Sequence, residues 1–197
     1  MNNQTESQTG QHNDVLRTAE LRNAGVYYKK QQQLIHQGLL EQVRHGYYRY
    51  TETSNHSDIP ILTALFPDAV LYLESALDYY NYTDRIPSAW QLAVDYRSSR
   101  TRFDIDYPIV KPHFIRSNRF PIGITEAEID DYSIKIYDRE RTICDLLQHR
   151  NKIDAEVFSA AVQRYVRDAK RNTVRLMNYA QLLHTEKKVR EVLGAWL

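Results

Sequence analysis

Hydrophobic positions change their spacing along the chain. Between Thr18 and Tyr50 they are sparse and fall into short sets. Thr18 is placed to cap a short helix, with Glu20 in its first turn, where the positive end of the helix dipole favours an acid. Gly25 stands where that helix should stop. Val26 opens a turn into a second helix over about Tyr28–Gln37, and Gly38 ends it. Leu39, Leu40 and Val43 begin a strand, Arg44-His45-Gly46-Tyr47 reads as a hairpin turn, and Tyr48 and Tyr50 alternate along the returning strand.

The pattern changes further on. Ile59–Phe66 reads as a short helix, Ala69–Leu73 as a strand, and Glu74–Tyr80 as a second short helix. Trp90–Val94, Ile109–Ile115 and Ile134–Tyr137 are strand-like, and Pro108, Pro112 and Pro121 put some of these at sheet edges. From Asp138 the spacing becomes helical. Asp138, Asp154 and Asn172 each stand ahead of an apolar helical set, and Val189–Leu197 forms a last short helix. The fold class expected is α+β: a winged helix-turn-helix over residues 13–52, then a mixed domain over 58–197 with a small sheet and a C-terminal helical layer. Residues 1–12 are polar and read as a tail, and 53–57 as a linker.

A winged helix-turn-helix commonly grips DNA, with its second helix in the major groove and its wing on the backbone or minor groove. The outward positions of the second helix are Lys29, Lys30, Gln32, Gln33 and His36, and the wing adds Arg44, His45 and Arg49. Lysine neutralises phosphate, and glutamine pairs bidentately with adenine. The bland alternative is a solvated polar face.

Charge adds a second layer. The chain carries 26 Lys+Arg against 25 Asp+Glu, a formal net charge of +1. That balance is uneven: the middle, residues 53–137, is acidic, and the C-terminal third is basic. The single cysteine, Cys144, lies in the apolar set Ile143, Leu146 and Leu147, so it reads as a buried structural thiol in a reducing, cytoplasmic protein. The polar N-terminus does not read as a signal peptide, and no apolar run reaches membrane-spanning length.

Three groups of residues carry a resemblance to a known family. The first is Thr18, Glu20 and Leu21, then Gly25-Val26, then Leu34, Gly38 and Leu40, then Arg44, Gly46 and Tyr48. The second is Ser75-Ala76-Leu77 followed by Ile86-Pro87. The third is Tyr137, Glu140, Arg141, Thr142, Ile143, Asp145 and Leu146. In this order they resemble the AbiEi antitoxins, transcriptional regulators of type IV toxin–antitoxin systems in phage defence, over nearly all of residues 15–197. The resemblance implies repression of the protein's own promoter through inverted repeats in double-stranded DNA, by a dimer or by cooperative monomers. It also implies that the C-terminal domain counters a nucleotidyltransferase-like toxin. Two features depart from the family: Gln31 stands where it usually places an apolar residue, and the helix that it places ahead of Thr18 is short or poorly patterned here, with only Val15 and Leu16 apolar. Tyr137, Glu140, Arg141, Thr142 and Asp145 read as structural: Glu140 suits a helix start, and Asp145 is in reach of Arg141 or Arg139.

An enzyme is the rival class, and the residues favour it less. The six glycines are scattered without a phosphate loop, and no two histidines stand at metal-ligand spacing. Asp104 and Asp106 would share a strand face, a pair able to bind a divalent metal for phosphoryl chemistry, although an exposed turn or edge fits their neighbours better. No catalytic residue, cofactor or metal is expected. A protein-interaction module built on the winged helix is the remaining alternative.

Overall fold

The computed structural model describes residues 14–51 and 57–197. The tail expected over residues 1–12, and all of the linker expected over 53–57 except its last residue, lie outside them. The chain is α+β, and its described residues form two compact units: residues 14–51 and 57–65 with 129–132, and residues 66–128 with 133–197.

In the first unit, β1 (Val15–Arg17) leads into α1 (Thr18–Asn23) and α2 (Tyr28–His36), followed by β2 (Leu40–Arg44) and β3 (Tyr47–Tyr50). The three strands form one antiparallel sheet in the order β1-β3-β2. Val15 and Leu16 are therefore strand, where the resemblance implied a helix. Val15 faces Arg49 and Leu16 faces Tyr48 in the β1–β3 ladder, and pairing with β3 outweighs three residues' local preference. Thr18 is the first helical residue and the cap position falls on Arg17, whose backbone N–H donates to Glu20 Oε2 at 2.6 Å. Thr18 instead donates to the Gly46 carbonyl, through its backbone N–H at 2.9 Å and its hydroxyl at 3.4 Å, which ties the start of α1 to the β2–β3 turn.

α1 and α2 end the same way. Gly25 and Gly38 take positive φ of 76° and 71°. The N–H groups of Gly25 and Val26 donate to the carbonyls of Arg22 and Leu21, and those of Gly38 and Leu39 to Ile35 and Leu34. This is the double-bonded helix stop that glycine permits at little strain. The core is Leu21, Val26, Leu40 and Tyr48, with Leu16, Leu34, Ile35 and Tyr50 packed around it. α3 (Ile59–Leu65), with Ile59, Ile61 and Leu62 buried, packs against β1.

The second unit is built on a five-stranded sheet whose order is β6-β5-β4-β8-β7. Its strands are β4 (Val70–Leu71), β5 (Trp90–Asp95), β6 (Val110–Ile115), β7 (Ile124–Ile129) and β8 (Tyr132–Tyr137). β5 and β6 run parallel, as do β4 and β8, while β4 and β5 are antiparallel. Pro112 sits in β6, an edge strand, where a missing N–H does least harm. The sequence pattern did not show β7. It runs into β8 through Asp130-Asp131, both at positive φ, as a two-residue hairpin turn requires.

α4 (Leu73–Tyr79), α5 (Arg139–Gln148), α6 (Ala155–Arg167), α7 (Thr173–Leu183) and α8 (Glu186–Leu193) make the helical layer. Asp138, Asp154 and Asn172 cap α5, α6 and α7 through their side chains, as their positions implied. The last helix begins at Glu186, earlier than the apolar set alone suggested, because Thr185 and Val189 are both buried. The layer closes on Leu77, Ile143, Leu147, Ala161, Leu176 and Val189. Cys144 is fully buried among them, and burial pushes its thiol up to about 12, so it is inert at neutral pH. No helix among the described residues is long and apolar enough to cross a membrane.

Candidate nucleic-acid interface

α2 is held at both ends and from beneath. The Gly25 stop aims its first turn and the Gly38 stop its last. Leu34 and Ile35 sit on the core side, and Gln31 joins them, only 3% exposed. The Gln31 amide Nε2 donates to the Val26 carbonyl at 3.1 Å, across the turn between α1 and α2. A glutamine therefore occupies an apolar position without an unpaired amide donor, because the turn supplies an acceptor.

The opposite face is open. Lys29, Gln32, Gln33 and His36 are exposed and, with Tyr28 and Gln37, line one shallow concavity on the helix surface. Lys30 is also exposed, but lies about 100° around the helix from Lys29, on the flank of this face. α2 contains no acid, and the positive end of its dipole adds to the lysines in its first turn. Residues 14–51 carry six Lys+Arg against three Asp+Glu, so this stretch is locally basic, although Asp58, Asp130 and Asp131 bring the unit's described residues to six of each.

The three residues expected to act from the β2–β3 ribbon differ from one another. His45 is exposed at the turn and Arg44 is half-buried. The Arg49 guanidinium is 2.7 Å from Glu41 Oε2, its neighbour across the β2–β3 ladder, so much of its charge is already countered. Sequence reasoning missed three further residues. Tyr27 and Tyr28, 67% and 73% exposed, stand at the N-terminus of α2. Arg17 is exposed with its guanidinium 5.8 Å from the centre of the Tyr47 ring. The aromatic pair ahead of the KKQQQ run was the available signal for the tyrosines. Arg17 was hidden because its strand was not recognised.

The string from Tyr137 to Asp145 lies inside the second unit. Arg141 is 1% exposed. Its Nε donates to Asp145 Oδ2 at 2.7 Å, and its Nη1 donates to the carbonyls of Arg119 and Ile122 at 2.7 and 2.6 Å. Its guanidinium carbon is 4.2 Å from the centre of the Tyr137 ring. Burial pushes the Asp145 carboxyl up to about 6, and the Arg141 charge pulls against it. Glu140 accepts from the Asn172 N–H at 2.8 Å, joining α5 to the start of α7, and burial raises its carboxyl too. Thr142 donates to the Tyr137 carbonyl at 3.2 Å. Arg139 turns the other way, to Asp168 at 2.8 Å. These residues join sheet, loop and helices from within the core.

Asp104 and Asp106 are exposed, in the segment between a 3-10 turn at Arg100–Phe103 and β6. They do not share a strand face, because β6 begins only at Val110, after Pro108. No group of three or more His, Cys, Asp or Glu among the described residues is arranged to hold a metal ion. No known protein-family model matches the chain, and no curated protein matches it.

Proposed function

We propose that the first unit is a winged helix-turn-helix that binds double-stranded DNA, and that the protein is an AbiEi-like regulator repressing its own promoter. The observation that carries the reading is the course of the chain through residues 15–50. A strand, two helices joined by a glycine-stopped turn and a two-stranded ribbon close into one sheet ordered β1-β3-β2. In this reading the acid-free face of α2 would enter a groove and the β2–β3 ribbon would serve as the wing. Lys29, Lys30, Arg17 and His45 would meet phosphate, while Gln32, Gln33 and His36 would meet base edges. The second unit would counter a nucleotidyltransferase-like toxin. Its support is the resemblance over Ser75–Leu77 and Tyr137–Leu146, whose core positions give that unit its shape.

A mobility-shift assay on the DNA upstream of the protein's own gene tests the first part. A specific shift is expected, and its absence at low salt would reject DNA binding. Co-expression with the product of an adjacent nucleotidyltransferase-like gene tests the second part. Growth rescue by the Lys29→Ala/Lys30→Ala chain, with DNA binding lost, is expected, because the two activities belong to different units.

A further inference from the structure

The three consecutive glutamines of α2 do not do the same work. Gln31 is buried and bonded to Val26, whereas Gln32 and Gln33 are exposed and make no side-chain hydrogen bond among the described residues. At about 100° per residue, Lys29 and His36 fall on the centre line of the open face, with Gln32 and Gln33 about 50° to either side. Lys29 and His36 are about 10 Å apart along the helix axis, a length that covers about three stacked base pairs. The face therefore offers two free carboxamides side by side, each with one acceptor and two donor hydrogens. In the major groove, that pattern matches the N7 acceptor and N6 donor of adenine.

Resting on the DNA-binding reading above, we infer that α2 reads a core of about three base pairs containing two adenines, with Gln32 and Gln33 as the specificity-determining side chains. Lys29, at the N-terminal end of the face, anchors phosphate or a flanking guanine. Gln31 faces the core, bonded to the Val26 carbonyl, and reads nothing.

The experiment is selection of bound duplexes from a randomised pool by the 197-residue chain, repeated with Gln32→Ala, Gln33→Ala and Gln31→Leu. Enrichment of two adenines within each short core is expected. Gln32→Ala and Gln33→Ala should each relax one of these positions by about 10-fold or more. Gln31→Leu should keep the same preference. Duplex binding with no adenine preference, or with a preference that neither Gln32→Ala nor Gln33→Ala alters, overturns the inference and leaves the DNA-binding reading standing. Failure to retain any duplex overturns both.

Discussion

The Gln31 side chain donates to the Val26 carbonyl at 3.1 Å, bridging the turn that sets α2 against α1. Val26 is itself core, 5% exposed, so the bond locks a buried backbone carbonyl and a buried amide together. Replacing Gln31 with leucine gains buried carbon at a position only 3% exposed. It also strips the carbonyl of this donor, which costs about 1–3 kcal/mol. Gln31→Leu should therefore be destabilising by about 1 kcal/mol or more in urea unfolding. A variant more stable than the parent would show that the bond is dispensable.

Arg141 and Asp145 form a second buried pair, in the other unit. Removing the arginine alone leaves a carboxylate stranded in the core, and loses the donors to Arg119 and Ile122. Arg141→Met should cost about 3–5 kcal/mol. Arg141→Met with Asp145→Leu should cost less than the sum of the two single changes, because no charge is then left unpaired. Strict additivity in a double-mutant cycle would argue that the two side chains do not depend on each other.

Gly123 combines positive φ, at 79°, with a close approach to Arg141. A Cβ there would fall 2.6 Å from the Arg141 Cβ, and neither atom is the end of a flexible chain. Gly123→Ala should destabilise by about 2–5 kcal/mol, from backbone strain and overpacking together. Gly25→Ala meets open space, so it should cost only the strain of its backbone conformation, about 1–2 kcal/mol. Equal losses in the two variants would contradict the tight seat of Gly123.

His113 stacks near Tyr72, with ring centroids 4.9 Å apart, and its Nε2 is 3.0 Å from Gln91 Oε1. Burial, followed by the charges of Lys111, His149 and Lys152, lowers its pKa from 6.5 to about 4. The unfolded chain then binds the proton more tightly than the folded chain between those values. Stability contributed by neutral His113 is present above pH 6.5 and is lost as pH falls toward 4. Asp145 works in the opposite sense: its raised pKa costs stability as pH rises from 3.8 toward 6. A His113→Phe variant should lose less stability than the parent between pH 7 and pH 5 in thermal melts. An identical loss would remove His113 from the acid response.

The sequence carried the punctuation of the fold well. Gly25, Gly38, Asp138, Asp154 and Asn172 act locally, so their residue type alone marked where helices stop or start. It carried the pairings poorly. β1 is three residues long and exists because β3 lies beside it. β7 reads ITEAEI, with a single buried side chain, so little marks it except its neighbour β8. The candidate interface was legible where it depended on helix spacing, as for Lys29, Gln32, Gln33 and His36. It was not legible where it depended on partners. Arg49 looked free until Glu41 was placed opposite it, and Gln31 looked anomalous until the Val26 carbonyl was placed above it.

In the proposed DNA-binding reading, α2 meets the DNA backbone through Lys29 and Lys30. The direct measurement is the affinity of the chain for its own upstream duplex across a salt titration, with Lys29→Ala/Lys30→Ala alongside. Affinity should fall steeply with salt on a log–log plot. The double variant should show a slope shallower by about two units and no binding at physiological salt. Undetectable binding by the parent at low salt, or an affinity and slope that the double variant leaves unchanged, would contradict the claim.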